Sequence, residues 1–195
     1  MADGTLKVGT ITTSSGSGTI TIGQSGETLN VGTGVVSRLG KFESQLLHIQ
    51  DQKTNGTDGG QFSAGNNDRP LNTVLTNEIT GASLSSNQIT LPSGTYYINV
   101  TCPTYLTQRA KISWYNVTDS SYTIVGLNNY GSVAVSMNNN LSGRFTITSQ
   151  KVFKVIQYTG LSSGTNDYGV DNVGSGQIEV YADLKIWRTG EWVAF

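Results

Sequence analysis

Apolar side chains in this chain recur mostly at every second position. In Tyr96-Tyr97-Ile98-Asn99-Val100-Thr101, Tyr96, Ile98 and Val100 face one way and Tyr97, Asn99 and Thr101 the other. This period, carried by β-branched and aromatic residues, predicts a strand. The stretch before it, residues 83–91, reads as one strand with Ile89 and Leu91 on one face and Leu84 on the other. Pro92-Ser93-Gly94 then forms a tight turn, so the centre of the chain reads as a hairpin. Further on, residues 141–148 and 151–159 alternate around Phe145, Ile147, Phe153 and Val155, with Ser149-Gln150 between them, and predict a second hairpin. Residues 177–187 form an amphipathic strand. Ile178, Val180, Ala182, Leu184 and Ile186 are its apolar set, with Tyr181 and Trp187 as exceptions on the polar side.

Other segments carry the same period less cleanly. They are residues 42–53, where Leu47 and Ile49 share a face and Leu46 pairs with His48, and residues 71–79, 109–117 and 122–127. Shorter strands are predicted at 61–63 and 133–135. Residues 66–70 and 160–176 read as loops, and 191–195 as a separate apolar tail. No stretch has a helical period. Roughly eight to ten strands between residues 42 and 190 predict an all-β fold: an antiparallel jelly-roll sandwich of about ten strands.

Residues 1–40 differ in texture. Leu6 with Val8, Ile20 with Ile22, and Leu29 with Val31 form apolar doublets between Gly, Ser and Thr runs. Two apolar residues per strand cannot close a core. A flexible Gly/Ser linker has the same composition, but it has no need of regularly placed Ile, Leu and Val. The expectation is therefore an extended, strand-rich arm whose doublets serve assembly, followed by a domain spanning 41–195.

Composition changes the picture in three ways. Charged residues make up 13% of the chain and the formal net charge is -1. No general electrostatic pull on nucleic acid or an anionic membrane is expected. Thr, Ser, Asn and Gly take the surface positions usually held by Lys and Glu, which suits close contact between subunits. Cys102 is the one cysteine, so no intrachain disulfide forms, and it reads as a small buried thiol. No apolar run approaches the ~20 residues of a membrane span. Met1-Ala2-Asp3-Gly4 lacks the pattern of a signal peptide, so synthesis in a cytosol is expected.

Five blocks then carry a resemblance. They are residues 47–60 (Leu47-His48-Ile49-Gln50-Asp51 and onward), Arg69-Pro70-Leu71-Asn72-Thr73, residues 87–96 around Leu91-Pro92-Ser93-Gly94, Tyr115-Asn116-Val117-Thr118-Asp119, and residues 179–187. In this order they resemble the jelly-roll modules of the complement-q/tumour-necrosis-factor type found in tailed-bacteriophage virion proteins. The arm resembles leader segments of phage fibre and capsid-associated proteins. The resemblance implies a compact homotrimer, no catalysis, and residence in a virion assembled in a host cytoplasm. The implied role is capsid decoration or cement, with the major capsid protein or a tail or vertex protein as partner. The alternative is a receptor-binding or adaptor module of a tail fibre, in contact with a host surface glycan. Forty residues leave no room for a long shaft, which favours decoration.

Chemistry is sparse. His48 is the only histidine and no Gly-x-Ser-x-Gly elbow is present, so a structural histidine is expected rather than a catalytic triad. One His and one Cys leave too few ligands for zinc. Asp167 and Asp171, with Asn166 and Asn172, offer oxygen ligands to calcium, which some members of the wider family bind. The spacing is not that of an EF-hand, and a plain polar loop is the preferred reading. No cofactor is expected. Tyr105, Tyr130 and Tyr168 lie in or beside predicted loops, where a ring can stack on a sugar. Packing at a subunit interface or at the sandwich edge is the preferred reading for them.

Overall fold

The computed structural model describes residues 45–131, 135–162, 164–172 and 174–189. The arm doublets Leu6, Val8, Ile20, Ile22, Leu29 and Val31, the boundary at residue 40, and the tail 191–195 lie outside the described residues. So does most of the strand expected at 133–135.

Twelve strands and no helix occur among the described residues. They are β1 (Gln45–Lys53), β2 (Gly65–Asp68), β3 (Thr73–Asn77), β4 (Ser83–Ser85), β5 (Gln88–Leu91) and β6 (Gly94–Tyr105). After these come β7 (Arg109–Asn116), β8 (Ser121–Val125), β9 (Asn129–Tyr130), β10 (Ser136–Ile147), β11 (Lys151–Thr159) and β12 (Glu179–Thr189). One sheet has the order β10-β6-β12-β1-β3. The other has seven strands, with β4-β5-β11-β7-β8 as its path, β2 beside β11, and β9 beside β7. Every pairing is antiparallel. The all-β jelly roll expected from the sequence is the fold observed.

The core lies between the sheets, where alternation sends Leu47 and Ile49, Tyr96, Ile98, Val100 and Cys102, and Ile112 and Trp114. An aromatic cluster joins the two layers. Tyr96 and Phe145 stack within the five-stranded sheet at 5.4 Å. Trp114 and Phe153 stack within the other at 4.9 Å and 7° between planes. Phe145 meets Phe153 at 5.4 Å across the gap. Cys102 is fully buried, and burial pushes its thiol up to about 11.

Four expectations change. Residues 83–91 are two strands: Ser86 and Asn87 take φ values of 49° and 63° and form a tight turn, so Leu84 lies opposite Ile89 and packs on the core beside it. Pro92-Ser93-Gly94 is no hairpin, because β5 and β6 belong to different sheets and the chain there crosses the sandwich. Gly94 has φ +156°, and a Cβ on it would meet Arg188 Nε at 2.8 Å, so this corner requires glycine. Ser149-Gln150 is likewise a crossing from β10 to β11, which lie in opposite sheets. Finally, residues 61–63 carry no strand, whereas β2, at residues 65–68 on β11, takes in the first three residues of the loop expected at 66–70.

In β12 a register shift opposite Asp51 and Gln52 changes which side chains face inward. Ala182, Leu184 and Ile186 are buried as expected. Beyond the shift, Glu179 and Tyr181 are buried, while Ile178, just before the strand, and Val180 are exposed. An extra residue in one strand reverses the alternation, a bulge that the period-two reading does not contain.

Candidate functional site

Two outward faces of the sandwich carry ordered side chains. The first belongs to the five-stranded sheet. Register puts His48 beside Lys185, Gln50 beside Asp183, and Trp187 beside Tyr97. Asp183 Oδ1 lies 2.6 Å from His48 Nε2 and accepts from Gln50 Nε2 at 2.7 Å, while Lys185 Nζ donates to Oδ2. Burial pushes the Asp183 carboxyl up, but the bonds from Lys185, Gln50 and His48 outweigh it and hold the group at about 2. Thr76 and Thr101 stand opposite His48 and Asp183 in the ladders, and among the described residues neither hydroxyl is hydrogen-bonded to the pair. Around it the face is rich in hydroxyls and amides, and its further charge is Arg144, exposed on β10 opposite Tyr97. Thr101 donates to Asn140 at 2.9 Å, and Thr95 meets Thr146 at 3.0 Å. Tyr97 and Trp187 lie 6.0 Å apart as an aromatic pair on this surface.

The sign of the pH effect at Asp183 follows from that shift. Its carboxyl sits below the ordinary 3.8, so it contributes stability that is complete above 3.8 and is lost as pH falls through about 2. Asp183→Asn is therefore expected to flatten the fall of melting temperature between these two pH values. A wild-type slope retained in the variant would remove Asp183 from this role.

The second face belongs to the seven-stranded sheet. On β7, Ala110, Ile112 and Trp114 point into the core, so Arg109 and Lys111 point out. Directly opposite residues in an antiparallel pair share a face. Tyr158 and Asn66 thereby join Lys111 in one row, and Tyr130 joins Arg109. Tyr122 reaches across the same surface, where its hydroxyl accepts from Asn66 Nδ2 at 3.4 Å. These side chains line an open groove of about 720 Å³, walled further by Asn128 and Asn129. Every charged residue in its lining is cationic.

The three tyrosines singled out in the sequence are not brought together. Tyr130, 72% exposed, lines the groove. Tyr105 is half-buried at the end of β6, on the other sheet. Tyr168 is buried, edge-on to Phe62 at 4.9 Å and beneath the Arg69 guanidinium at 4.4 Å, so its ring is closed to a sugar. Tyr122, Tyr158, Arg109 and Lys111 were not among the sequence candidates. Alternation with buried neighbours marks most of them as outward-facing, but only strand pairing makes them adjacent.

The two candidate calcium ligands also separate in role. Asp167 is buried, and its Oδ2 accepts from the Phe62 amide at 3.1 Å and from Ser162 at 2.9 Å. Asp171 has its amide on Asp58 Oδ1 at 3.0 Å. Desolvation, then the negative charge of Asp58 and Glu179, pushes its carboxyl up. Among the described residues no group of three or more His, Cys, Asp or Glu side chains is arranged to hold a metal ion. No described helix is long and apolar enough to cross a membrane.

No family model and no curated protein matches the chain. Solved structures do. Murine APRIL, of the tumour-necrosis-factor family, matches at 8% identity over 75% of this chain and 99% of its own, with a TM-score of 0.51. The globular domain of a zebrafish complement 1qA protein matches at 12% identity over 75% of this chain and 96% of its own, with a TM-score of 0.46. These likenesses concern the fold and not the setting in which the chain works. The sandwich from β1 to β12 has the jelly-roll fold seen in the tumour-necrosis-factor structure.

Proposed function

We propose that this chain is a non-enzymatic structural protein that works as a homotrimer, with the outer face of its five-stranded sheet turned towards the other copies. The observation that carries this reading is the character of that face. Its Asp183, Lys185 and His48 satisfy one another, its remaining polar groups apart from Arg144 are mostly hydroxyls and amides, and Tyr97 and Trp187 present apolar rings. Interface cores are depleted of free charge and enriched in aromatic residues in this way. The family that the five sequence blocks resemble associates as compact trimers, which supports the same stoichiometry.

The setting we propose is a virion. The arm at residues 1–40 anchors the trimer to the major capsid protein as decoration, and subunit junctions that bury apolar surface brace the shell. The low charge and the apolar doublets of the arm support this reading. A receptor-binding or adaptor module of a tail fibre is the second reading. The groove on the seven-stranded sheet favours it, because decoration has no use for a cationic, tyrosine-lined cleft.

Native mass spectrometry tests the assembly. The full chain is expected at three times its 20.8 kDa mass. Tyr97→Glu puts a like charge from each copy into the interface and is expected to give a folded monomer. A monomeric wild type would sink the trimer. Copy number per particle then separates the settings: a large simple fraction of the capsid protein supports decoration, and a few trimers support a tail or vertex. Absence from particles would remove the virion reading.

A further inference from the structure

We propose that the groove on the outer face of the seven-stranded sheet is a binding site for an acidic saccharide, a sugar chain bearing carboxylates. The inference does not rest on the trimer, because the groove lies on the opposite sheet from the proposed assembly face.

Three observations carry it. First, Tyr122, Tyr130 and Tyr158 are all exposed, although they stand on one small surface. A tyrosine ring offers a flat apolar face for the C–H side of a pyranose and a hydroxyl for its edge. Second, Arg109 and Lys111 stand two positions apart on one face, make no ion pair among the described residues, and share the groove lining with no carboxylate. Two uncompensated cations in a chain of net charge -1 mark a local preference for an anion. Arg109 presents the planar fork that suits a carboxylate, and Lys111 a point charge next to it. Third, the lining also offers the amides of Asn66 and Asn128 and the hydroxyl of Ser113, and such groups both donate to and accept from sugar hydroxyls.

A single-stranded nucleic acid also stacks on aromatic rings, but it is held by a line of cations tracking its phosphates. Two cations flanked by amides fit separated carboxylates on a hydroxyl-rich chain better than a continuous phosphate backbone.

The test uses the full chain and isothermal titration with hexamers of galacturonate and of mannuronate, a sialic-acid tetramer, a glucose hexamer and a thymidylate hexamer. At least one acidic sugar is expected to bind roughly tenfold or more tightly than the neutral one, and to weaken with salt. Arg109→Gln combined with Lys111→Gln is expected to lose roughly tenfold or more for that sugar. Tyr130→Ala is expected to weaken the acidic sugar while leaving the oligomeric state unchanged. The proposal is overturned if no acidic sugar binds at millimolar concentration, if the glucose hexamer binds equally well, or if the charge variants bind like wild type. Preference for the thymidylate would replace it with a nucleic-acid site. Native mass spectra taken in parallel keep the two readings apart: a trimer that binds no sugar overturns only the groove, and a monomer that binds overturns only the assembly.

Discussion

Arg69→Met is expected to lower the stability of the domain by about 3–5 kcal/mol, because it removes one partner of a buried charged network. Arg69 follows β2 in a connecting segment, yet its side chain is fully buried at one end of the sandwich. Nη1 donates to the Pro103 carbonyl at 2.9 Å, and Nη2 donates to the carbonyls of Tyr168, at 3.1 Å, and Tyr181. The guanidinium plane lies over the Tyr168 ring. Burial pulls Arg69 down and pushes the buried Asp51 up, and the charge of each opposes the other's shift. Methionine fills similar space but donates nothing. Three carbonyls from β6, the 160–176 loop and β12 then lose this donor, and Asp51 keeps Lys53 but loses the second cation that favours its ionised form. Lysine is expected to recover only part of the loss, since it lacks the fork that reaches carbonyls from separate strands. Urea unfolding measures both variants. A change below about 1 kcal/mol for Arg69→Met would show the network to be dispensable.

Trp114→Ala is expected to cost a similar amount, about 3–5 kcal/mol, for a different reason. The indole is fully buried, stacks on Phe153 and lies 6.1 Å from Phe145 of the other sheet. Removing it opens a cavity between layers that are held together mainly by apolar contact. Set against the roughly 5–15 kcal/mol of a typical domain, that loss brings unfolding close to working conditions. The denaturant midpoint should fall with little change in slope. Trp114→Phe, which keeps a ring against Phe153, should lose clearly less. Trp187→Ala in the isolated subunit should change little, because that ring lies on the outer face. Equal losses at 114 and 187 would contradict the layer assignment.

The contrast between these tryptophans shows how much local pattern conveyed. Both sit in amphipathic strands, and the side of each strand that faces the core is legible from its neighbours. Trp114 alternates with Ile112 and Ala110, and Trp187 stands opposite Ile186 and Leu184. The same reading gave Tyr96, Ile98, Val100 and Cys102 their inward direction and Tyr97 its outward one. It failed at Tyr181, where one extra residue shifts the register, and at Leu84, where the Ser86-Asn87 turn folds a supposed single strand onto itself. Ser86-Asn87 is itself a turn signal, so that boundary was present in the chain. The bulge left no comparable mark.

The candidate groove was less legible. Tyr130 was visible as an exposed loop aromatic, but Tyr168 has the same local context and is buried, because Arg69 arrives over its ring from a segment 99 residues earlier in the chain. No window of sequence contains that contact. Arg109 and Lys111 read as ordinary outward charges until β9 and β11 bring Tyr130 and Tyr158 alongside them.

Local chemistry decides which residues are extended and which side chains turn away from water, because both follow from the geometry of the strand and the cost of exposing apolar surface. It thereby determines the all-β class and the inner face of most strands. It does not decide which sheet a strand joins. A hairpin and a crossing between layers use the same short turns, and the difference at Pro92-Ser93-Gly94 and Ser149-Gln150 lies only in which distant strand supplies the hydrogen bonds. Sheet membership, the polar network around Arg69 and the cationic groove all arise from pairings far apart in sequence, and only the assembled sandwich holds them together.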